Sequence, residues 1–283
     1  MSGPGAGSGA PLGAEELLRL CDFLYRRTGM SYGEGKRYYI ERRVAQRIAA
    51  SGAGSFADYM GLLRASPAEA ARLVNSFTVN ETYFWREEHQ LRCLGRAILP
   101  EIVAGRGPGD LVRIWSNPCS TGEEPYSIAI WLLENWPMVD AYNIDIAASD
   151  IDGDAVRAAE EGFFGDRSLS RLPAELLRRY FGPREDGRRR IIQDLRESVH
   201  FGTANLVDAA SMAAAGRFDV VFCRNVLIYF DEASRQMAAQ TLFDALAPGG
   251  FLLLGHTESM TRISDRFLVR RFDEAIVYQR PPA

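Results

Sequence analysis

From Asp110 to the carboxyl end, short runs rich in β-branched and aromatic residues alternate with helical segments. That alternation restricts this part of the chain to βαβ units wound about a parallel sheet. Strands are predicted over 112–115, 144–149, 218–223, 251–254 and 275–279. The run Phe218-Asp219-Val220-Val221-Phe222-Cys223 is too continuously apolar for a sheet with one wet face, so it belongs in the interior of a sheet covered on both sides.

Upstream the periodicity is helical throughout. Leu17, Leu20, Cys21 and Leu24 form one stripe of a helix that stops at Gly29, and Ile40, Val44 and Ile48 face inward from a second. Ser55 with Asp58, and Ser66-Pro67 with Glu69, mark two further helix starts, because a Ser side chain and an acid three residues on satisfy amides that the first turn leaves unpaired. Residues 14–79 therefore read as a small all-α domain, and 80–110 as a linker with a connecting helix over 87–104 that Pro100 bends or splits. Residues 1–13, almost entirely Gly, Ala, Ser and Pro, read as a disordered tail. The α/β domain spans 111–283 and is interrupted over about 163–201 by a charged run, 184–190, between Tyr180-Phe181 and Ile191-Ile192. We read that stretch as an insertion at the sheet edge with a small antiparallel hairpin.

Lys and Arg total 33 against 37 Asp and Glu, a net charge of −4 over 283 residues. No overall basic field exists to gather nucleic acid or anionic lipid, so neither is expected as a partner. No run approaches the ~18 apolar residues of a spanning helix, and no signal-peptide pattern opens the chain, so a cytoplasmic location without membrane insertion is expected. Cys21, Cys93, Cys119 and Cys223 are scattered, with no C-x-x-C pair and only three histidines, so reduced thiols and no metal are expected.

The chemistry gathers at the predicted strand ends. The first strand runs into Ser116-Asn117-Pro118-Cys119-Ser120-Thr121-Gly122-Glu123-Glu124-Pro125, a small-residue loop where α/β sheets bring backbone close to a ligand. It lacks G-x-G-x-x-G, and its paired acids would repel a phosphate, so Glu123 suits a cationic ligand. By itself the loop also reads as a capped helix start. The second strand ends in Ser149-Asp150-Ile151-Asp152, which places Asp150 to accept from two ribose hydroxyls, or to cap a helix. The strand over 218–223 stops at Arg224-Asn225-Val226-Leu227-Ile228-Tyr229-Phe230, turning Asn225 and Tyr229 toward the same end of the sheet.

Taken together, Asn80-x-Thr82-x-x-x-Arg86, Ser120-Thr121-Gly122-Glu123-Glu124-Pro125-Tyr126-Ser127, Ser149-Asp150-Ile151-Asp152 and Cys223-Arg224-Asn225-Val226-x-Ile228-Tyr229-Phe230 resemble the CheR family in residues, order and spacing, from Ala14 to Arg280. The resemblance implies a class I methyltransferase fold, Rossmann-like with a mostly parallel sheet, joined to a small N-terminal helical domain and a small antiparallel β insertion. It implies S-adenosylmethionine as cofactor, S-adenosylhomocysteine as product, and esterification of glutamates on the cytoplasmic helical region of methyl-accepting chemotaxis receptors at the inner membrane face. Position by position, it implies that Asn80, Thr82 and Arg86 close over the cofactor and that Glu123 meets its methionyl amino group. Asp150 would bind the ribose, and Asn205-Leu206 with Asn225-Val226 would frame the adenine. Arg86 and Tyr229 would stand near the transferring methyl. The insertion corresponds to the family's β-subdomain, which in some members grips a receptor's C-terminal peptide.

A glutamate side chain, with a reference pKa of ~4.3, is already an ionised nucleophile at neutral pH, which agrees with the lack of an evident catalytic base. In the helical domain, Lys36, Arg43 and Arg47, with Arg42 nearby, lie on one flank of the second helix and read as a receptor-docking face, or simply as a solvated one. The enzyme is expected to be a monomer. Two rival readings keep the same cofactor site: a methyltransferase acting on RNA or a small molecule, and a cofactor-binding module without catalysis.

Overall fold

The computed structural model describes residues 12–283, which separate after Val79 into two compact units. The expected tail lies outside the described residues as far as 11. Its last two positions are placed: Leu12 is buried in the helical core, and Gly13 caps the first helix.

The first unit holds α1 (Ala14–Thr28), α2 (Arg37–Ser51), α3 (Phe56–Ala65) and α4 (Pro67–Phe77). Gly29 ends α1 in the left-handed conformation, and the Ser55 and Ser66 side chains accept from the amides of Asp58 and Glu69, so the start and stop signals act as their chemistry dictates. Leu20, Leu24, Ile40 and Val44 are buried with Tyr59, Leu63, Leu73 and Phe77, while Leu17, Cys21 and Ile48 pack at the margin.

In the second unit the connecting segment is α5 (Glu88–Cys93), a π-helical turn over Leu94–Ile98, and α6 (Leu99–Val103). The break expected at Pro100 thus falls one turn earlier. A proline ring displaces the carbonyl four residues before it, which here is Arg96, inside the π turn.

The main sheet comprises β1 (Leu111–Ser116), β2 (Asn143–Asp150), β6 (Val199–Thr203), β7 (Phe218–Cys223), β8 (Leu246–Leu254), β9 (Leu268–Arg271) and β10 (Ile276–Gln279), in the order β6-β2-β1-β7-β8-β10-β9. The first five neighbours run parallel; β10 lies antiparallel to β8, and β9 to β10. Every residue of β7 is buried. The crossovers α7 (Glu123–Asn135) after β1 and α8 (Gly153–Glu161) after β2 complete the doubly wound pattern.

The insertion differs in two respects from the sequence reading. It forms a three-stranded antiparallel sheet, β3 (Phe163–Gly165), β4 (Phe181–Glu185) and β5 (Arg188–Ile191), in the order β3-β5-β4, rather than a lone hairpin. It also ends before 199, because Val199, His200 and Phe201 pair with β2 as an edge of the main sheet. Pro248-Gly249-Gly250 lies inside β8, where the pairing with β7 shifts register between Phe218 and Val220.

Candidate active site

The loop after β1 is pinned on both sides by its neighbours. The Asn117 amide donates to the Phe222 carbonyl of β7 (2.9 Å) and the Cys119 amide to the Ser149 carbonyl of β2 (2.8 Å). Gly122 turns the chain into α7 with φ of +97°, and an added Cβ there would sit 2.9 Å from the Ala159 side chain, so only glycine fits. Among the described residues, five other than glycine have positive φ; three of these, Trp85, Ser120 and Asn225, lie on the motif segments, and a fourth, Glu87, directly follows one. Backbone strain of this kind persists where surrounding contacts enforce it.

Asp150, 4% exposed, accepts from the Ser120 amide on one oxygen (2.8 Å) and from the Asp152 amide on the other (2.9 Å). Burial pushes its carboxyl up to about 6 against the opposing pull of those amides. Asn80 bridges the same region: its side-chain amide donates to Asp152 (2.8 Å) and its carbonyl accepts from the Ser120 hydroxyl (2.9 Å). The structure thus brings Asn80, Ser120, Asp150 and Asp152 together. Glu123, also buried, accepts from the hydroxyls of Thr121 (2.7 Å) and Ser168 (2.6 Å), the latter from the insertion. Asn205 and Leu206 follow β6, the neighbour of β2; Leu206 is buried, and its carbonyl accepts from Thr241 (2.6 Å).

At the end of β7 the sequence reading left out the groups that hold the site. Arg224, part of the family motif but given no role, is buried, and its guanidinium donates to Glu124 (2.8 Å) and to the Arg86 carbonyl (2.7 Å), with Glu87 at 3.5 Å. It ties the 80–90 segment to the loop after β1. Burial pushes the Glu87 carboxyl up, but the Arg224 charge and the His256 hydrogen bond outweigh it and hold Glu87 below its usual range. Glu258 accepts from four backbone amides, those of Asn225, Val226, Leu227 and Gly255, at 2.8–2.9 Å. A buried arginine ending an apolar strand, with paired acids available, was a usable signal for the first network; nothing in the local sequence marks Glu258.

Of the remaining candidates, Arg86 donates to the Glu81 carbonyl (3.0 Å), Thr82 is half-buried, and Tyr229 is half-buried on the turn Leu227–Tyr229. Cys119 and Cys223 are buried and their thiols are pushed well up, which makes them poor nucleophiles. No cluster of His, Cys, Asp and Glu suited to a metal ion occurs among the described residues, and no helix among them is long and apolar enough to cross a membrane.

Two of the residues read as a docking face also make bonds within the helical unit. Arg47 makes a forked pair with Glu69 (2.7 and 2.7 Å), which is also held by the Tyr59 hydroxyl (3.0 Å), and Arg43 donates to the Ser76 carbonyl while lying over the Tyr39 ring. Arg47 compensates the Glu69 carboxylate, which is 4% exposed. Arg42 and Lys36 remain exposed.

A donor set of buried carboxylates and backbone amides at the carboxyl ends of β6, β2, β1 and β7 fits a nucleoside bearing a positive centre better than a phosphate. The protein is an S-adenosylmethionine-dependent methyltransferase. Residues 80–276 match the CheR methyltransferase SAM-binding domain and 15–78 the CheR methyltransferase all-alpha domain, so the chain belongs to the CheR methyltransferase family. It is 46% identical over 268 residues to chemotaxis protein methyltransferase 2 of Vibrio cholerae, covering 94% of this chain and 93% of that one. It is 36% identical over 266 residues to chemotaxis protein methyltransferase 2 of Pseudomonas aeruginosa, covering 93% and 92%.

Proposed function

We propose that this enzyme methylates glutamate side chains on the cytoplasmic helical region of chemotaxis receptors, forming methyl esters, and that it works in the cytoplasm at the inner membrane face as a monomer. The observation that carries the cofactor half is Asp150: a buried carboxylate, unpaired with any cation among the described residues, that keeps acceptor positions beyond its two amide bonds. That chemistry fits two vicinal hydroxyls of a ribose. Asn80, Thr82 and Arg86 would close one side of the cofactor, Glu123 would meet its amino group, and Asn205-Leu206 with Asn225-Val226 would frame the adenine.

S-adenosylmethionine supplies, when bound, an electrophilic methyl carbon on a sulfonium. The residues around it have positioning to do rather than proton transfer, since the incoming carboxylate is already ionised. Arg224 holds the backbone at Arg86, which sets where the Arg86 guanidinium starts. Tyr229, two residues beyond an amide that Glu258 fixes, would orient the carboxylate through its hydroxyl. Exposed Lys36 and Arg42 would meet acidic receptor helices.

Transfer of labelled methyl from S-adenosylmethionine to purified receptor cytoplasmic fragments tests the whole reading. Label released by mild base is the expected result; label that resists base, or that appears only on RNA or small molecules, overturns it.

A further inference from the structure

Glu258 lies outside every motif that marks the site, on the turn after β8, yet all four of its hydrogen bonds go to backbone amides. Three belong to consecutive residues, Asn225, Val226 and Leu227, and the fourth to Gly255. Each oxygen takes two: Oε2 accepts from Asn225 and Gly255, Oε1 from Val226 and Leu227. Asn225 has φ of +59°, a left-handed conformation that a non-glycine residue keeps only under external restraint. No salt bridge to Glu258 occurs among the described residues, so the amides alone compensate its charge.

The approach is close on the other side as well. A Cβ added to Gly255 would stand 2.6 Å from Asn225 Nδ2, 2.9 Å from Glu258 Oε2 and 3.0 Å from the Asn225 amide nitrogen. The turn after β8 and the turn after β7 are therefore fitted to each other around a single carboxylate.

We propose that Glu258 is a positioning residue of the cofactor site: its carboxylate gathers the amides of 225–227 and presents Asn225 and Val226 in the one backbone conformation that contacts the adenine. This rests on the reading that Asn225 and Val226 frame the adenine. Charge and geometry both matter. A glutamine here has one acceptor atom, and its NH2 group would face two amide donors whichever way it is turned.

Calorimetric titration of S-adenosylhomocysteine into the full chain tests this, with Glu258→Gln, Gly255→Ala and Asn225→Ala run beside the wild type. Glu258→Gln should raise the Kd at least about tenfold, the effect of losing two charge-assisted hydrogen bonds from one turn. It should raise KM for S-adenosylmethionine to match, leaving KM for receptor within about twofold; a merely structural role would lower the thermal midpoint and leave the cofactor Kd of the folded protein alone. Gly255→Ala should weaken binding in the same direction with the carboxylate still in place, and it carries the test if Glu258→Gln does not fold. In the wild type without ligand, the amides of 225–227 and 255 should exchange hydrogen as slowly as strand amides.

An unchanged Kd in both Glu258→Gln and Gly255→Ala, or loop-like exchange at 225–227 in the wild type, overturns the positioning role. An unchanged Kd in Asn225→Ala instead overturns the assignment of Asn225 to the cofactor, and is distinguishable because it does not depend on Glu258.

Discussion

The ends of β2 and β8 each carry a carboxylate in a turn, each accepts backbone amides, and each is pushed up by burial, yet the two are built for different work. A carboxylate offers about four acceptor positions. Asp150 has hydrogen bonds from two amides, whereas Glu258 has four and can accept nothing more. Burial of an acid therefore does not identify a ligand contact; the acceptor positions left over do. Between them, at the end of β7, Arg224 stands against Glu124 and Glu87 and is balanced within the protein like Glu258. Internally balanced groups should report in stability, Glu258 in affinity as well through the turn it holds, and the open one in ligand affinity.

The largest effect should come from breaking the balanced side. Arg224→Met leaves Glu124 and Glu87 in a mostly buried setting without their cation, and removing one partner of a buried pair costs about 3–5 kcal/mol. Urea unfolding reads this directly; a loss below about 1 kcal/mol would mean that the two acids find other compensation. Breaking the open side should look different. Asp150→Asn should weaken S-adenosylhomocysteine binding about a hundredfold, near 3 kcal/mol for hydrogen bonds to a charged acceptor, with little change in the unfolding midpoint. Equal damage to stability and affinity in both variants would erase the distinction.

A pH titration sharpens the same comparison at smaller amplitude. Asp150 titrates in the folded protein at about 6, above the ~3.9 of an unfolded aspartate, so its ionised form is the disfavoured one. Its contribution to stability is complete below pH ~4 and is lost as pH rises through about 6. A ligand that donates hydroxyls to the carboxylate prefers the ionised form, so affinity should be level above pH ~7 and fall toward tenfold per unit below about 6. Calorimetry from pH 5 to 8 should show this slope in the wild type and none in Asp150→Asn. Glu87 runs the other way: held low by Arg224 and His256, it contributes stability above the ordinary glutamate range that is lost on acidification.

What could be read from the sequence was whatever depends on near neighbours. Asp150 caps the amide two residues on, Ser55 and Ser66 cap amides three residues on, and the β7 run declares its burial by hydrophobicity alone. Strands β6 and β9 escaped because their residues are those of sheet edges: β6 carries His200, Gly202 and Thr203, and β9 ends in two arginines. Glu258 escaped for a different reason. Its partners at 225–227 lie 31–33 residues earlier, and only the parallel pairing of β7 with β8 brings them to it. The partner of Arg47 was not legible because a basic residue on a helix flank looks the same whether it faces solvent or, as here, a carboxylate 22 residues away.

That last confusion carries the comparison into the helical unit, where one arginine is held internally and its neighbour is open. Burial pushes the Glu69 carboxyl up, and Arg47 and Tyr59 outweigh it, holding it below its usual range. Arg47→Ala should therefore destabilise by about 1–3 kcal/mol, the cost of an unsatisfied buried acceptor, and leave KM for receptor near wild type once the protein is folded. Arg42→Glu should do the reverse. An exposed side chain on α2 contributes little to stability, so the unfolding midpoint should hold, while KM for receptor rises about three- to tenfold at low salt. The increase should shrink as ionic strength approaches the range where the screening length is ~8 Å. If Arg42→Glu leaves receptor KM unchanged at low salt, α2 has no part in docking, and the basic flank is a solvated face.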